Sequence, residues 1–218
     1  KNGDPNSVVN GFYAIGECSC VSVHGANRLG TNSLLDLIVF GKAAGDHIIE
    51  HVQKSPKAHK ILPKDALDVS LARIAKLDAS KSGEYAQNVA DDLRASMQAH
   101  AGVFRTQKIM DEGVTKVLEI DQRVQNLHLK DKSKVFNTGR IEALEVENPI
   151  EAAKATMISA AARKESRGAH AHDDHPERDD ENWMKHTLWF KDGNRLDYKP
   201  VKLKPLTTDT IPPKKRTF

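Results

Sequence analysis

The stretch GFYAIGECSCVSVHGANRLGTNSLLDLIVFGKAAG, residues 11–45, sets one arginine and several small polar residues between two hydrophobic walls. Residues 11–15, GFYAI, are short and β-prone, and Gly16 stops them, so they read as an interior strand. From Leu34 to about Val52, Leu34, Leu35, Leu37, Ile38, Val39, Phe40, Ala43, Ala44, Ile48 and Ile49 nearly encircle a helix, the pattern of a buried one. Asn32 or Ser33 is its natural N-cap. Strand, loop and capped buried helix are the layout of an α/β ligand site.

The loop residues carry the chemistry. Arg28 offers a planar fork of donors that matches a carboxylate in two-point contact, and Gly25, Ala26, Asn27 and Gly30 keep the loop narrow enough for a flat ligand. A structural arginine bonded to loop carbonyls fits the same spacing. Ser33 and Leu34 open a helix whose unpaired N–H groups favour an anion or a ring that becomes negative, although a capped helix without ligand has the same sequence. Glu17, at a strand end, suits ribose hydroxyls or plain solvent. Cys18 and Cys20 are too close for an ordinary bridge, which favours a reducing compartment. With His24 they are spaced too tightly for structural zinc, and two cysteines are too few for an iron–sulfur cluster. His170, His172, Asp173, Asp174 and His175 look metal-like in composition but read better as a flexible polar loop, so no metal site is predicted. Trp183 and Trp189 read as packing residues.

The chain has 218 residues, 39% hydrophobic and 29% charged, enough for one or two cored domains. A formal charge of +3 with interleaved signs gives no reason to expect nucleic acid as a partner. No stretch has the length and apolarity of a membrane span and no signal peptide is visible. The start at Lys1, close to a strand-like segment, suggests a piece of a longer protein. Pro56 and Pro63 bracket a linker. Helical spacing then predicts helices over Asp65–Leu77, Glu84–His100, Thr106–Leu129 and Asn137–Arg167, with Gly83 as an interruption and Pro149 as a kink costing about 3 kcal/mol. Together they suggest an antiparallel bundle. WMKHTLWF and RLDYKPV flank Lys191–Asn194, a hairpin signal, and the last residues should be extended.

Three stretches carry a resemblance. HGANRLGTNSLLDL and its surroundings resemble a signature near the end of the FAD-binding domain in succinate dehydrogenase and fumarate reductase flavoprotein subunits. RKESRGAHA with HPERDDENWMKHTL resembles a second signature of that family, and PPKKRTF its usual ending. L-aspartate oxidase shares the first signature, whereas RDDENWMKHTL supports the succinate dehydrogenase side. At His172 many relatives have arginine, so no role is assigned to that loop, and Arg167 and His170 read as supporting or interface residues.

The resemblance implies an α+β, mainly α chain: residues 1–59 as the tail end of an α/β FAD-binding domain, 60–167 as the helical bundle and 168–218 as a C-terminal loop and β-hairpin region. It implies FAD as cofactor, contacted by Glu17, Ser33 and Leu34, and a succinate or fumarate carboxylate held by Arg28. It places no catalytic residue in this chain. The dinucleotide GxGxxG, the flavin-linked histidine and the capping domain with its proton-shuttling arginine lie upstream in such subunits, so the isolated chain is expected to be inactive and not to retain FAD. Electrons would pass to an iron–sulfur subunit and then to quinone at membrane anchor subunits. The site would be peripheral, at the cytoplasmic face of a bacterial inner membrane or the mitochondrial matrix side. Fumarate reductase, L-aspartate oxidase and a non-catalytic helical docking module are the alternatives. Residues 1–50 alone would expose apolar faces, so self-association is a further expectation.

Overall fold

The computed structural model describes residues 7–21, 23–24, 28, 30–55 and 61–213. Gly25, Ala26 and Asn27 of the narrow loop, the Pro56 side of the linker and the last five residues lie outside them. The chain divides into two compact units, Lys1–Pro63 and Lys64–Phe218.

In the first unit a 3-10 turn at Gly16–Cys18 precedes a long helix, α1 (Gly30–Lys54). Gly16 has φ +75°, a left-handed backbone that favours glycine, and it sits against the Leu37 side chain of α1. Three sequence expectations fail here. Residues 11–15 form no strand, because a strand exists only through a hydrogen-bonded neighbour and none among the described residues pairs with them. Helix α1 also starts before Asn32 and Ser33, which therefore lie inside it rather than at its cap, and none of its residues is buried. Leu34 is 65% exposed and Ile38 69%. Each such side chain gains about 1.5–3 kcal/mol only when something covers it. The apolar girdle of α1 is thus written for cover that the described residues of this unit do not supply.

In the second unit, α2 (Asp68–Ala79), α3 (Ala86–His100), α4 (Gln107–Val124), α5 (Thr138–Glu145) and α6 (Glu147–Ala162) form the helical bundle. Thr106 caps α4, its hydroxyl accepting from the Ile109 amide at 3.3 Å. The buried stripe of α4, Met110, Gly113, Val117, Ile120 and Val124, recurs at helical spacing. It packs with Val89 and Leu93 of α3 and Ile150 and Met157 of α6 in one apolar core. Gly83, at φ +140°, lets the chain pass Asn126, whose carbonyl oxygen would lie 2.3 Å from an added Cβ. Arg123 then forks onto Glu84 at 2.6–3.1 Å and fixes that junction. These hydrogen bonds hold the Glu84 carboxyl below its ordinary range.

The long helix expected over Asn137–Arg167 is two helices that break at Val146, and the second stops at Ala162. The break places Pro149 in the first turn of α6, where its missing N–H leaves no hydrogen bond unmade, so no mid-helix kink is formed. Gly113 sets the approach of the central helices. An added Cβ would stand 2.5 Å from both His100 Cβ and Met157 Cε. Gly113→Val should therefore lower stability by about 2 kcal/mol through overpacking, although replacing glycine in an open helix normally helps. A urea midpoint shifted downward, read by tryptophan fluorescence, is the expected result; an unchanged midpoint would mean the helices can separate freely.

A short parallel pair, β1 (Phe104–Arg105) with β2 (Ala171–His172), ties the start of α4 to the later loop. After α7 (Asp180–Trp183), the strands β3 (Lys185–Phe190) and β4 (Arg195–Pro200) form the expected antiparallel hairpin, from Lys185↔Pro200 to Phe190↔Arg195. Its turn uses Gly193 and Asn194 at φ +66° and +52°. Residues 201–213 have no regular structure, as read from the sequence.

Candidate functional site

Two of the four residues singled out by sequence come together in the first unit. Arg28 Nη2 donates to Glu17 Oε1 at 2.7 Å, with side chains 42% and 75% exposed. Such a solvent-facing pair contributes about 0–1 kcal/mol, so either partner can exchange the other for a ligand group at little cost. The glutamate stands in the Gly16–Cys18 turn, whose position is fixed by the glycine contact with Leu37.

Ser33 and Leu34 lie at the beginning of α1. The unpaired amides of that first turn are those of Gly30, Thr31 and Asn32, since a helix leaves its opening N–H groups free. Ser33 adds a hydroxyl beside them and Leu34 an exposed apolar side chain. No acidic residue occurs in the first turn. The positive end of a 25-residue helix is therefore not neutralised by its own sequence. A donor-rich, acid-free helix start with an open apolar neighbour suits a planar ring that accumulates negative charge.

Two contacts that hold this region were not read from the sequence. His24 Nε2 lies 2.9 Å from Asp36 Oδ2, and the Tyr13 hydroxyl 2.7 Å from His47 Nδ1. Both tie the segment before α1 to the helix itself. Isolated histidines at separations of 12 and 34 residues carry no periodic signal, so only the fold reveals them.

The second unit holds the other signature. Its loop is not loose: Glu165 is fully buried and accepts from Arg163 Nη1 at 2.6 Å, Arg167 Nε at 2.8 Å and the Asp179 amide at 2.9 Å. Arg167 Nη2 reaches Asp180 at 2.6 Å. The guanidinium of Arg163 lies 5.1 Å from the Trp183 ring centroid, and Lys185 Nζ lies 4.8 Å from it, so Trp183 is a packing residue as expected. Arg167 thus supports the loop, and His170 does likewise through Arg105 and the Arg163 carbonyl.

With this geometry in place, comparison with known proteins is informative. Residues 90–218 match the family model described as fumarate reductase flavoprotein C-term, and residues 2–34 match that of an FAD binding domain. The chain belongs to the succinate dehydrogenase/fumarate reductase flavoprotein family. A succinate dehydrogenase flavoprotein subunit from Coxiella burnetii is 44% identical over 99% of this chain and 36% of its own length. The fumarate reductase flavoprotein subunit of Escherichia coli is 36% identical over 96% of this chain and 35% of its own length. The chain therefore spans about a third of the length of the curated relatives it matches. A solved structure of an E. coli quinol fumarate reductase variant superposes with a TM-score of 0.80 at 36% identity, over 93% of this chain and 35% of that one. FAD is the cofactor of the domain to which the first residues belong, and the family's mainly helical α+β fold is the one found here. Among the described residues no helix is long and apolar enough to cross a membrane.

Proposed function

We propose that this chain forms part of a flavoprotein subunit that oxidises succinate to fumarate, with FAD accepting the electrons. The meeting of Arg28 and Glu17 near the sequence position where α1 begins carries the assignment, because both are exposed and, among the described residues, each finds its side-chain partner in the other. A dicarboxylate needs a fixed cation at each end. Arg28 provides one in bidentate form, and the other cation and the proton-transfer group belong to segments beyond this chain. Glu17 would accept hydrogen bonds from the cofactor's ribose, and the first turn of α1, with Ser33 and Leu34, would hold the flavin ring. When bound there, FAD supplies the two-electron acceptance; this chain's residues orient the substrate and favour negative charge on the ring through the helix N-terminus.

In the same reading, electrons leave to an iron–sulfur subunit and reach quinone at membrane anchor subunits, with the flavoprotein peripheral on the cytoplasmic or matrix side. Succinate oxidation is preferred over fumarate reduction because the identity to the Coxiella dehydrogenase subunit exceeds that to the E. coli reductase subunit. The complete FAD-loaded subunit should reduce an artificial acceptor dye with succinate and not with L-aspartate, and should retain an iron–sulfur protein on purification. Dye reduction with L-aspartate but not succinate would overturn the substrate assignment.

A further inference from the structure

The histidine-rich loop of the second unit holds a buried imidazole with one nitrogen to spare. His172, paired with Arg105 in the β1–β2 ladder, has a side chain that is 0% exposed. Its Nε2 lies 3.2 Å from Gln107 Oε1. The Gln107 amide is oriented by its own Nε2, which donates to Asp111 Oδ1 at 2.8 Å and to the Ala161 carbonyl at 3.1 Å. The oxygen facing His172 can only accept, so Nε2 carries the hydrogen and Nδ1 is a bare lone pair. Among the described residues, that buried Nδ1 has no hydrogen-bond partner.

The surroundings decide what a proton there would do. The nearest carboxylate oxygen, Asp174 Oδ2, is 4.0 Å away, beyond hydrogen-bond reach, and it already accepts from the Gln107 amide at 2.6 Å. His175 stacks edge-on at 4.7 Å between centroids and His170 at 5.7 Å. Lys164 shares the Gln107 oxygen. Burial opposes charge on the ring most strongly; His175 and Lys164 add repulsion, and Asp174 and, less, Asp173 offer attraction. His170 is differently committed: its Nδ1 accepts from Arg105 Nη1 at 3.0 Å and its Nε2 donates to the Arg163 carbonyl at 3.1 Å, an arrangement that uses both nitrogens in the neutral state.

We propose that His172 is an acid-operated latch, whose protonation at Nδ1 releases residues 171–175 from β1 and from the start of α4 while the helical bundle stays folded. The closed loop accommodates the neutral ring. A charged ring finds no acceptor within hydrogen-bond reach among the described residues and is shielded from bulk solvent by burial, so it is better solvated once the loop opens. Burial holds both His170 and His172 below the ordinary histidine value of 6.5. The sign follows: the open form binds more protons than the closed one below about pH 6.5, so closure is fully favoured above that value and is lost as pH falls.

Native-state hydrogen exchange on the full chain tests this. The reporters are the Asp173 amide, bonded to the Arg105 carbonyl at 2.7 Å, and the Gln107 backbone amide at the start of α4, bonded to Asp174 Oδ2 at 2.6 Å. Between pH 7.5 and 5.5, after correction for intrinsic exchange, their opening constant should rise by up to about tenfold for one buried imidazole, while Val117 and Ile120 in α4 keep their protection. His172→Gln should abolish the step and His170→Gln should leave a step in place. Equal protection at the two pH values, a step surviving His172→Gln, or simultaneous opening of α4 would each overturn the latch. Should His172→Gln not fold, an NMR titration of the unaltered chain decides: the His172 ring must titrate over the pH range of the exchange step, and titration elsewhere refutes the proposal.

Discussion

Replacing Glu165 with glutamine should destabilise the second unit by about 3–5 kcal/mol, and its thermal midpoint should fall by about 10 °C. The side chain is 0% exposed, and its two oxygens accept four hydrogen bonds, three from guanidinium groups and one from the Asp179 amide. Glutamine keeps the size but loses the charge and turns one acceptor into a donor aimed at arginine or amide N–H groups. Arg163 would then remain largely buried with its positive charge uncompensated, while Arg167 would keep Asp180 as its remaining carboxylate partner; stranding Arg163 is the costly way to break a buried pair. The damage should be regional at first. Arg163 also donates to the carbonyls of Trp183 and Lys185 at 3.0 and 2.7 Å and to the Thr187 hydroxyl at 3.1 Å, so Glu165 indirectly holds the start of the hairpin. Trp183 and Trp189 are the chain's two tryptophans, which makes fluorescence a direct reporter of that region. A wild-type melting curve would mean that the backbone acceptors alone satisfy both arginines.

How much of this was legible in the sequence depends on whether the signal is local. The bundle was readable because Val89 and Leu93, or Val117 and Ile120 with Val124, repeat at helical spacing and end in the core. The hairpin was readable because Gly193 and Asn194 can take the left-handed backbone that its turn requires. The break at Val146 was not, since one β-branched residue between Glu145 and Glu147 carries no stop signal and Pro149 pointed to the wrong position. Glu165 was hidden for a different reason. A charged residue in RKESR reads as solvated surface, and its burial depends on Asp179, fourteen residues away, folding back over it. Helix α1 shows the converse. Its apolar girdle reads as a helix to be covered, while the described residues of the first unit bury none of it fully. At the candidate site, Arg28 and Glu17 could be named individually from residue chemistry, but their approach to 2.7 Å could not, because it depends on the left-handed Gly16 setting the turn against Leu37.

Arg28→Lys in the complete FAD-loaded subunit should reduce succinate turnover at least about a hundredfold while the flavin absorbance band of the purified protein is unchanged. The two halves of this expectation come from different parts of the site. Lysine keeps the positive charge but presents a point donor on a flexible stem, so a carboxylate can pivot around it and the substrate loses the alignment that two parallel N–H donors impose. Misplacement of the reacting carbon by an ångström is sufficient for a loss of that size. Cofactor retention should survive because the groups assigned to FAD, Glu17 and the first turn of α1, do not depend on the guanidinium for their position. Glu17 is placed by the Gly16–Cys18 turn, and α1 is tied by His24–Asp36 and Tyr13–His47. The ion pair to Arg28 is solvent-facing and of small energetic consequence. Undiminished turnover would remove Arg28 from substrate binding and return it to a structural role in its loop. Loss of flavin together with turnover would instead show that Arg28 holds the cofactor, and the carboxylate clamp would have to be sought on another residue.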